Sequence, residues 1–203
     1  MNQIIHRTEL AFLDFIPVNV RTTQHEERIM RLAENRTLLK NLIRPLLPHY
    51  DYVIIDTPPV LRGLTTVAMT AADTILIPIK SGHFSLEAIE KLIRYLDWVY
   101  EAANRNLKIE GILQTMYEPK TKVTEITDRE LQTRFRRYVL RTNIPKNTHL
   151  TEASFYGKPS VLFNATSKGT LAYLELAKEL IERHTPQQAS PLQSNDSVRS
   201  ESA

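Results

Sequence analysis

The stretch Asp51-Tyr-Val-Ile-Ile-Asp-Thr-Pro-Pro59 is the part of this chain best suited to chemistry. A continuous apolar run of this length suits a strand buried on both faces. A carboxylate at the carboxyl end of such a strand sits where open α/β sheets bind ligands, so Asp56 could hold a Mg2+ ion through its water shell. Pro58 and Pro59 can continue neither a ladder nor a helix, and they put a stiff loop beside the acid. An isolated strand ending in Asp more often just caps a helix or closes a turn. Here Val60 to Ile79 follows as a helix and then a second fully apolar strand, which favours a ligand site.

Other candidates are weaker taken singly. Ile144-Pro-Lys-Asn147 follows a predicted strand, and also reads as an ordinary turn, for which Pro and Asn are common choices. Basic residues gather between Arg129 and Lys146, with Arg134, Arg136, Arg137 and Arg141 among them. Ile126, Leu131 and Phe135 recur there at core spacing, which leaves Arg134 and Arg137 on a more exposed side. A solvated face is the usual meaning of such a run. His6, His25, His49 and His83 show no ligand spacing and read as surface or satisfied core residues. Ser81, Ser85 and Ser154 have no recognisable base beside them, which argues against a hydrolase triad.

The elements that must position these residues alternate short apolar runs with amphipathic stretches, the pattern of a mostly parallel sheet with crossover helices. Strands are expected at Phe12 to Val18, Tyr52 to Asp56, Thr74 to Ile79, Ile109 to Met116 and Tyr138 to Ile144. Helices are expected at Arg36 to Leu47, Leu64 to Ala72, Ser85 to Ala103, Glu125 to Arg137 and Ser167 to Arg183. In the third helix Leu86, Ile89, Leu92, Ile93, Leu96 and Val99 form one core stripe. From Thr185 the text is Pro, Gln, Ser and Asn, so residues 185–203 are expected to be a disordered tail after a domain spanning 1–184.

Composition narrows the classes. The 203 residues are 42% hydrophobic and 24% charged, enough for one sizeable core. With no Cys, a disulfide scaffold, a thiolate metal site and a Cys nucleophile are excluded. No apolar run suits a signal peptide or approaches the roughly 18 residues of a membrane span, so a cytoplasmic protein without membrane contact is expected. A net charge of +3 permits nucleic-acid binding without requiring it.

Asp51 to Leu92 resembles the Walker B and switch II region of the ParA/Soj family of partition ATPases. There an aspartate, a variable residue and two prolines precede a helix ending in Ala-Ala-Asp, as at Ala71, Ala72 and Asp73 here. Phe12 to Val20, Ile109 to Thr121, Ile144 to Ser160 and Leu171 to Leu180 resemble the same family in order and spacing. The resemblance implies a three-layer, mostly parallel α/β fold of the P-loop NTPase type, acting with ATP and Mg2+ in chromosome or plasmid partitioning. It implies a homodimer formed on nucleotide, a ParB-like centromere-binding partner, and sequence-independent contact with nucleoid DNA.

By the same resemblance Asp56 serves the Mg2+ side and Thr57, Pro58 and Pro59 belong to switch II. Pro145 packs on adenine, Lys146 stands where relatives carry Arg, and Asn147 meets the base edge. Lys120 and His149 fall where relatives carry DNA-binding arginines, with Arg134, Arg137 and Arg141 adding basic surface. A neutral His149 does not replace a permanent charge. Bacterial tyrosine kinases share the Asp-Thr-Pro-Pro pattern but end in a tyrosine cluster, MinD proteins end in an amphipathic membrane helix, and nitrogenase iron proteins need cysteines; none of these features is in this sequence.

One family part has no counterpart. A P-loop needs a G-x-x-x-x-G-K-[ST] turn whose backbone N–H groups cradle phosphates. Gly63, Gly82, Gly111, Gly157 and Gly169 are the five glycines, and none lies in that context. The expectation is a carboxy-terminal two-thirds of such an ATPase, lacking the first strand, the loop and the first helix, and unable to hydrolyse ATP alone. Two alternatives remain at this point: a non-enzymatic DNA- or protein-binding regulator derived from the family, or a gene fragment of a longer ATPase.

Overall fold

The computed structural model describes residues 4–18 and 21–185; the expected tail from Pro186 onward lies outside the described residues. Two short strands, β1 (His6–Arg7) and β2 (Asp14–Phe15), pair antiparallel with His6 opposite Phe15. Helices α1 (Thr23–Leu32) and α2 (Leu38–Ile43) follow, then a 3-10 turn at Leu47–His49. Next come α3 (Leu64–Ala71), β3 (Thr74–Lys80), α4 (His83–Ala102), β4 (Lys108–Tyr117), α5 (Lys122–Arg134) and β5 (Val139–Pro145). The chain continues through α6 (Thr148–Phe155), α7 (Ser160–Phe163) and α8 (Lys168–His184). Strands β3, β4 and β5 are neighbours in that order in a parallel sheet, with α4 and α5 as the crossovers, so the α/β class read from the sequence holds.

The chain divides into two compact units: Met1–Ile77 with Gly82–Ile112, and Pro78–Ser81 with Leu113–Ala203. In the first, Leu86, Ile89, Leu96 and Val99 of α4 are buried, as their spacing predicts, and so are Thr65 to Thr70 of α3. The Asn104 amide donates to the carbonyls of Met69 and Ala72 at 2.9 and 2.7 Å, satisfying acceptors that the end of α3 would otherwise leave open. In the second unit α8 packs along β5, with Leu140, Ile144 and Leu176 buried. Gly169 permits the contact of α8 with α6, because a Cβ there would lie 2.6 Å from Leu150 Cγ.

Several expectations are corrected. The predicted strand Phe12 to Val18 is reduced to Asp14–Phe15. Tyr52 to Asp56 is in no strand: among the described residues no backbone hydrogen bond joins Val53 to Asp56 to a neighbour, and Ile54 is 93% exposed. A run apolar on both faces becomes a ladder only when strands flank it. The helix expected over Arg36 to Leu47 is interrupted because Pro45 and Pro48 lack the N–H a helix needs. Helix α5 starts earlier and stops at Arg134, so Arg137 lies beyond it, and Ile126, expected in the core, is 60% exposed. Helices α1, α6 and α7 were not anticipated, although Thr22 and Asn147 are both N-cap types that act as caps here.

Glu179 of α8 is 2% exposed and binds two successive main-chain N–H groups of β5, Arg141 N to Oε1 at 2.9 Å and Thr142 N to Oε2 at 2.8 Å. Burial by itself pushes the Glu179 pKa up. The hydrogen bonds from Arg141 and Thr142 and the Arg183 charge outweigh it and hold the carboxyl below its ordinary value. A depressed folded-state pKa gives stability that is complete above the ordinary Glu value and lost as pH falls through the lower folded one. Glu179→Ala, which strands two N–H groups, is expected to cost about 2–5 kcal/mol at neutral pH. In thermal unfolding the gap between parent and variant should narrow as pH falls below about 4.3.

Candidate nucleotide and nucleic-acid sites

In the first unit Asp56 is exposed and, among the described residues, makes no hydrogen bond or ion pair. It does not cap the next helix. That position belongs to Gly63, whose φ of +60° suits a residue without a Cβ. The turn after Asp56 is closed by main chain instead, with Val60 N donating to the Pro58 carbonyl at 2.8 Å. The Thr65 hydroxyl donates to the same carbonyl at 3.2 Å and ties the Pro58-Pro59 loop to the first turn of α3. Helix α3 is anchored in turn, since Thr66 Oγ1 lies 2.6 Å from the Tyr95 hydroxyl and the Thr70 hydroxyl donates to the Thr66 carbonyl at 2.8 Å. The result is a carboxylate free for a ligand beside a loop fastened to a buried helix.

Mg2+ and ATP fit these residues only in part. A lone exposed carboxylate with no protein partner suits a cation held through water. The phosphates find no cradle, because no glycine of this sequence lies in a phosphate-loop context. Among the described residues, no group of three or more His, Cys, Asp or Glu side chains could hold a metal directly.

In the second unit β5 ends at Pro145, which is half-buried. Lys146 N donates to the Tyr117 carbonyl at 3.1 Å and Lys146 Nζ lies 3.1 Å from Glu118 Oε1, so the loops after β4 and β5 run side by side. Asn147 is the N-cap of α6, its Oδ1 accepting from His149 N at 3.0 Å. Its amide nitrogen makes no hydrogen bond among the described residues. The His149 ring places Nδ1 3.2 Å from Glu152 Oε2.

The five residues read as a DNA surface are placed differently from one another. Lys120 is exposed, with a φ of +67° that costs a non-glycine residue about 1 kcal/mol or more. The Arg134 guanidinium lies over Phe135 at 5.4 Å and that of Arg137 over Tyr138 at 4.6 Å. Arg141 is drawn into the clamp around Glu179, 3.7 Å from that carboxylate and 2.9 Å from Glu182, and the hydrogen bond to Glu182 pushes its pKa up. Sequence reasoning missed Glu179, whose place in a helical run marks it only as a solvated charge. It also missed Asn104 and Thr66, polar residues in apolar surroundings that no spacing rule singles out.

A family model described as an AAA domain matches residues 1–109. The chain is 36% identical over 177 residues to the sporulation initiation inhibitor protein Soj of Bacillus subtilis, covering 87% of this chain and 70% of that protein. The chain belongs to the ParA/Soj family. It is likewise 36% identical over 186 residues to the chromosome partitioning protein ParA of Myxococcus xanthus, covering 92% of this chain and 66% of that one. Among solved structures, cobyrinic acid a,c-diamide synthase from Mycobacterium smegmatis with bound ATP analog and magnesium matches with a TM-score of 0.70 at 25% identity. That match covers 90% of this chain and 67% of the other. The chain thus spans about two-thirds of the length of the ParA/Soj relatives it matches. Among its described residues no helix is long and apolar enough to cross a membrane.

A carboxylate with no structural partner can be removed without structural cost. Asp56→Ala is expected to leave the unfolding free energy within about 0.5 kcal/mol of the parent. Denaturant unfolding followed by circular dichroism measures this, and a loss of several times that size would mean that Asp56 has a structural role.

Proposed function

We propose that this chain is the carboxy-terminal part of a ParA-like partitioning protein, supplying the Mg2+-side acid, the adenine-side loop and the DNA-facing surface of an ATP-dependent DNA-segregation machine. The observation that carries this reading is the partnerless Asp56, in an Asp-Thr-Pro-Pro sequence beside a helix-anchored loop, in a chain of the ParA/Soj family. In this reading Thr57, Pro58 and Pro59 act as switch II, and Pro145, Lys146 and the free amide of Asn147 face the base. Lys120, Arg134 and Arg137 meet DNA phosphates, while Arg141 and His149, both beside carboxylates, contribute less. A second copy of the chain and a ParB-like protein are the expected partners, and plasmid and chromosome cargo are equally compatible with these residues.

Nucleotide turnover needs a phosphate cradle that this sequence does not contain. The purified chain is therefore expected to show no Mg2+-dependent ATP hydrolysis above background. Turnover that disappeared on Asp56→Ala would overturn this, since the activity would then belong to the incomplete site. The exposed apolar run at Val53 and Ile54 supports a further part of the reading, that flanking strands from an amino-terminal segment complete the sheet around it. Adding a relative's loop-bearing segment should raise the unfolding midpoint and the solubility of the chain. A chain that unfolds cooperatively and gains nothing from the segment would favour an independent binding module.

The DNA surface is tested by salt. Binding to duplexes of unrelated sequence should be equal within error and should weaken steeply between 50 and about 200 mM salt as counterions are released. Lys120→Gln should lower affinity for all duplexes alike and reduce the salt slope by about 1. Affinity indifferent to salt would refute an electrostatic surface.

A further inference from the structure

The first unit carries a surface cavity of about 560 Å³ that none of the residues discussed above as nucleotide- or DNA-facing lines. Arg36, from the link between α1 and α2, and Arg62, from the loop before α3, stand on it with Tyr95 and Trp98 of α4. The Tyr95 hydroxyl is engaged by Thr66, so its ring offers the cavity an apolar body. Tyr95 and Trp98 lie against each other at 5.3 Å between ring centroids, and Trp98 remains 42% exposed.

The charges are disposed to receive an anion. The Arg36 guanidinium sits 5.0 Å from the Trp98 ring centroid. Stacking holds a guanidinium by its face and leaves the in-plane N–H donors free to fork onto a carboxylate. Neither Arg36 nor Arg62 makes an ion pair or a hydrogen bond with the described residues, and they face one carboxylate on the lining, Glu34. Two guanidiniums against one carboxylate leave the cavity cationic at neutral pH.

We propose that this cavity docks an acidic segment of a partner protein, with one apolar side chain seated on the Tyr95–Trp98 wall and flanking carboxylates bound by Arg36 and Arg62. The combination of Trp, Tyr and Arg in a pocket is the composition of interface hot spots. The apolar surface also continues past the cavity onto α1: Gly63 on the lining is close to Met30, which is 58% exposed. An extended peptide uses that continuation, whereas a compact small anion does not. The two arginines come from separate loops, which suits two carboxylates spaced along a chain better than one central charge.

Trp98 is the single tryptophan of the chain, so its fluorescence reports on this cavity alone. The 203-residue chain is titrated with a short synthetic peptide bearing one Phe between Asp and Glu residues. A saturable change in emission is expected, weakened on the order of tenfold by Arg36→Ala, by Arg62→Ala, and by replacing the acids with Asn and Gln. Among the described residues Arg62 lies over no aromatic ring, so its variant removes charge without unstacking the wall, and matching unfolding midpoints establish that both variants fold. Equal response to the acidic and the neutral peptide, or none up to millimolar peptide, would overturn the proposal. So would AMP saturating the cavity where the peptide does not, which would make it a site for a small planar anion.

Discussion

Main-chain N–H and C=O groups withdrawn from water must be paired, because each one left unpaired costs about 1–3 kcal/mol. Two places in this chain answer that demand in opposite ways. At β5, Glu179 reaches from α8 and accepts from two successive N–H groups, fixing the helix to the strand through the backbone itself. At Val53 to Asp56 an equally apolar sequence finds no such bonds among the described residues, and Ile54 stands open to solvent. The first arrangement ties α8 to β5 within the second unit. The second leaves the acid with the most chemical promise at the end of an exposed apolar segment that is in no strand.

The contrast explains what was legible in the sequence. Strands β3, β4 and β5 and helices α3, α4, α5 and α8 were readable because each signal is local: an apolar run or a 3.6-residue stripe is created by the segment's own side chains. Tyr52 to Asp56 carries the same kind of signal, yet becoming a strand depends on partners elsewhere in the chain, and periodicity says nothing about those. The short helices α1, α6 and α7 failed for the converse reason. They bury few apolar residues, so their evidence lies in caps such as Thr22 and Asn147 rather than in a stripe. Ile126 shows the limit of spacing arguments, since a residue in phase with Leu131 and Phe135 still faces outward.

Candidate site residues divide by whether the fold already uses them. Asn147 has an oxygen committed to the first turn of α6 and an amide nitrogen that is not, so capping and contact with a ligand's acceptor are compatible in one side chain. Asp56 has no structural partner among the described residues, and because it is exposed it keeps its hydration and stays available to a ligand. Thr65 and Pro58 lie between these cases, since a hydroxyl bonded to the loop carbonyl passes any shift of the loop directly to the start of α3. That link is the physical basis on which a change at Asp56 could be felt by a helix buried from Thr65 to Thr70.

The same division applies to charge, where counting cations misleads. Arg141 belongs to the basic cluster by sequence, but Glu179 and Glu182 hold it at 3.7 and 2.9 Å, so it adds little field beyond its own neighbourhood. Arg36 and Arg62 belong to no cluster and were not singled out by pattern, yet neither is met by a carboxylate in an ion pair. Lys120 joins them in being unpaired, and its left-handed backbone holds it out on a tight turn between β4 and α5. A cation without a counter-ion keeps its whole field for a partner, and binding that partner requires no existing ion pair to be broken first. On this criterion Arg141 and Lys146 are held by carboxylates, whereas Arg129, Arg136 and Arg137 of the same stretch keep their field among the described residues as Arg36, Arg62 and Lys120 do.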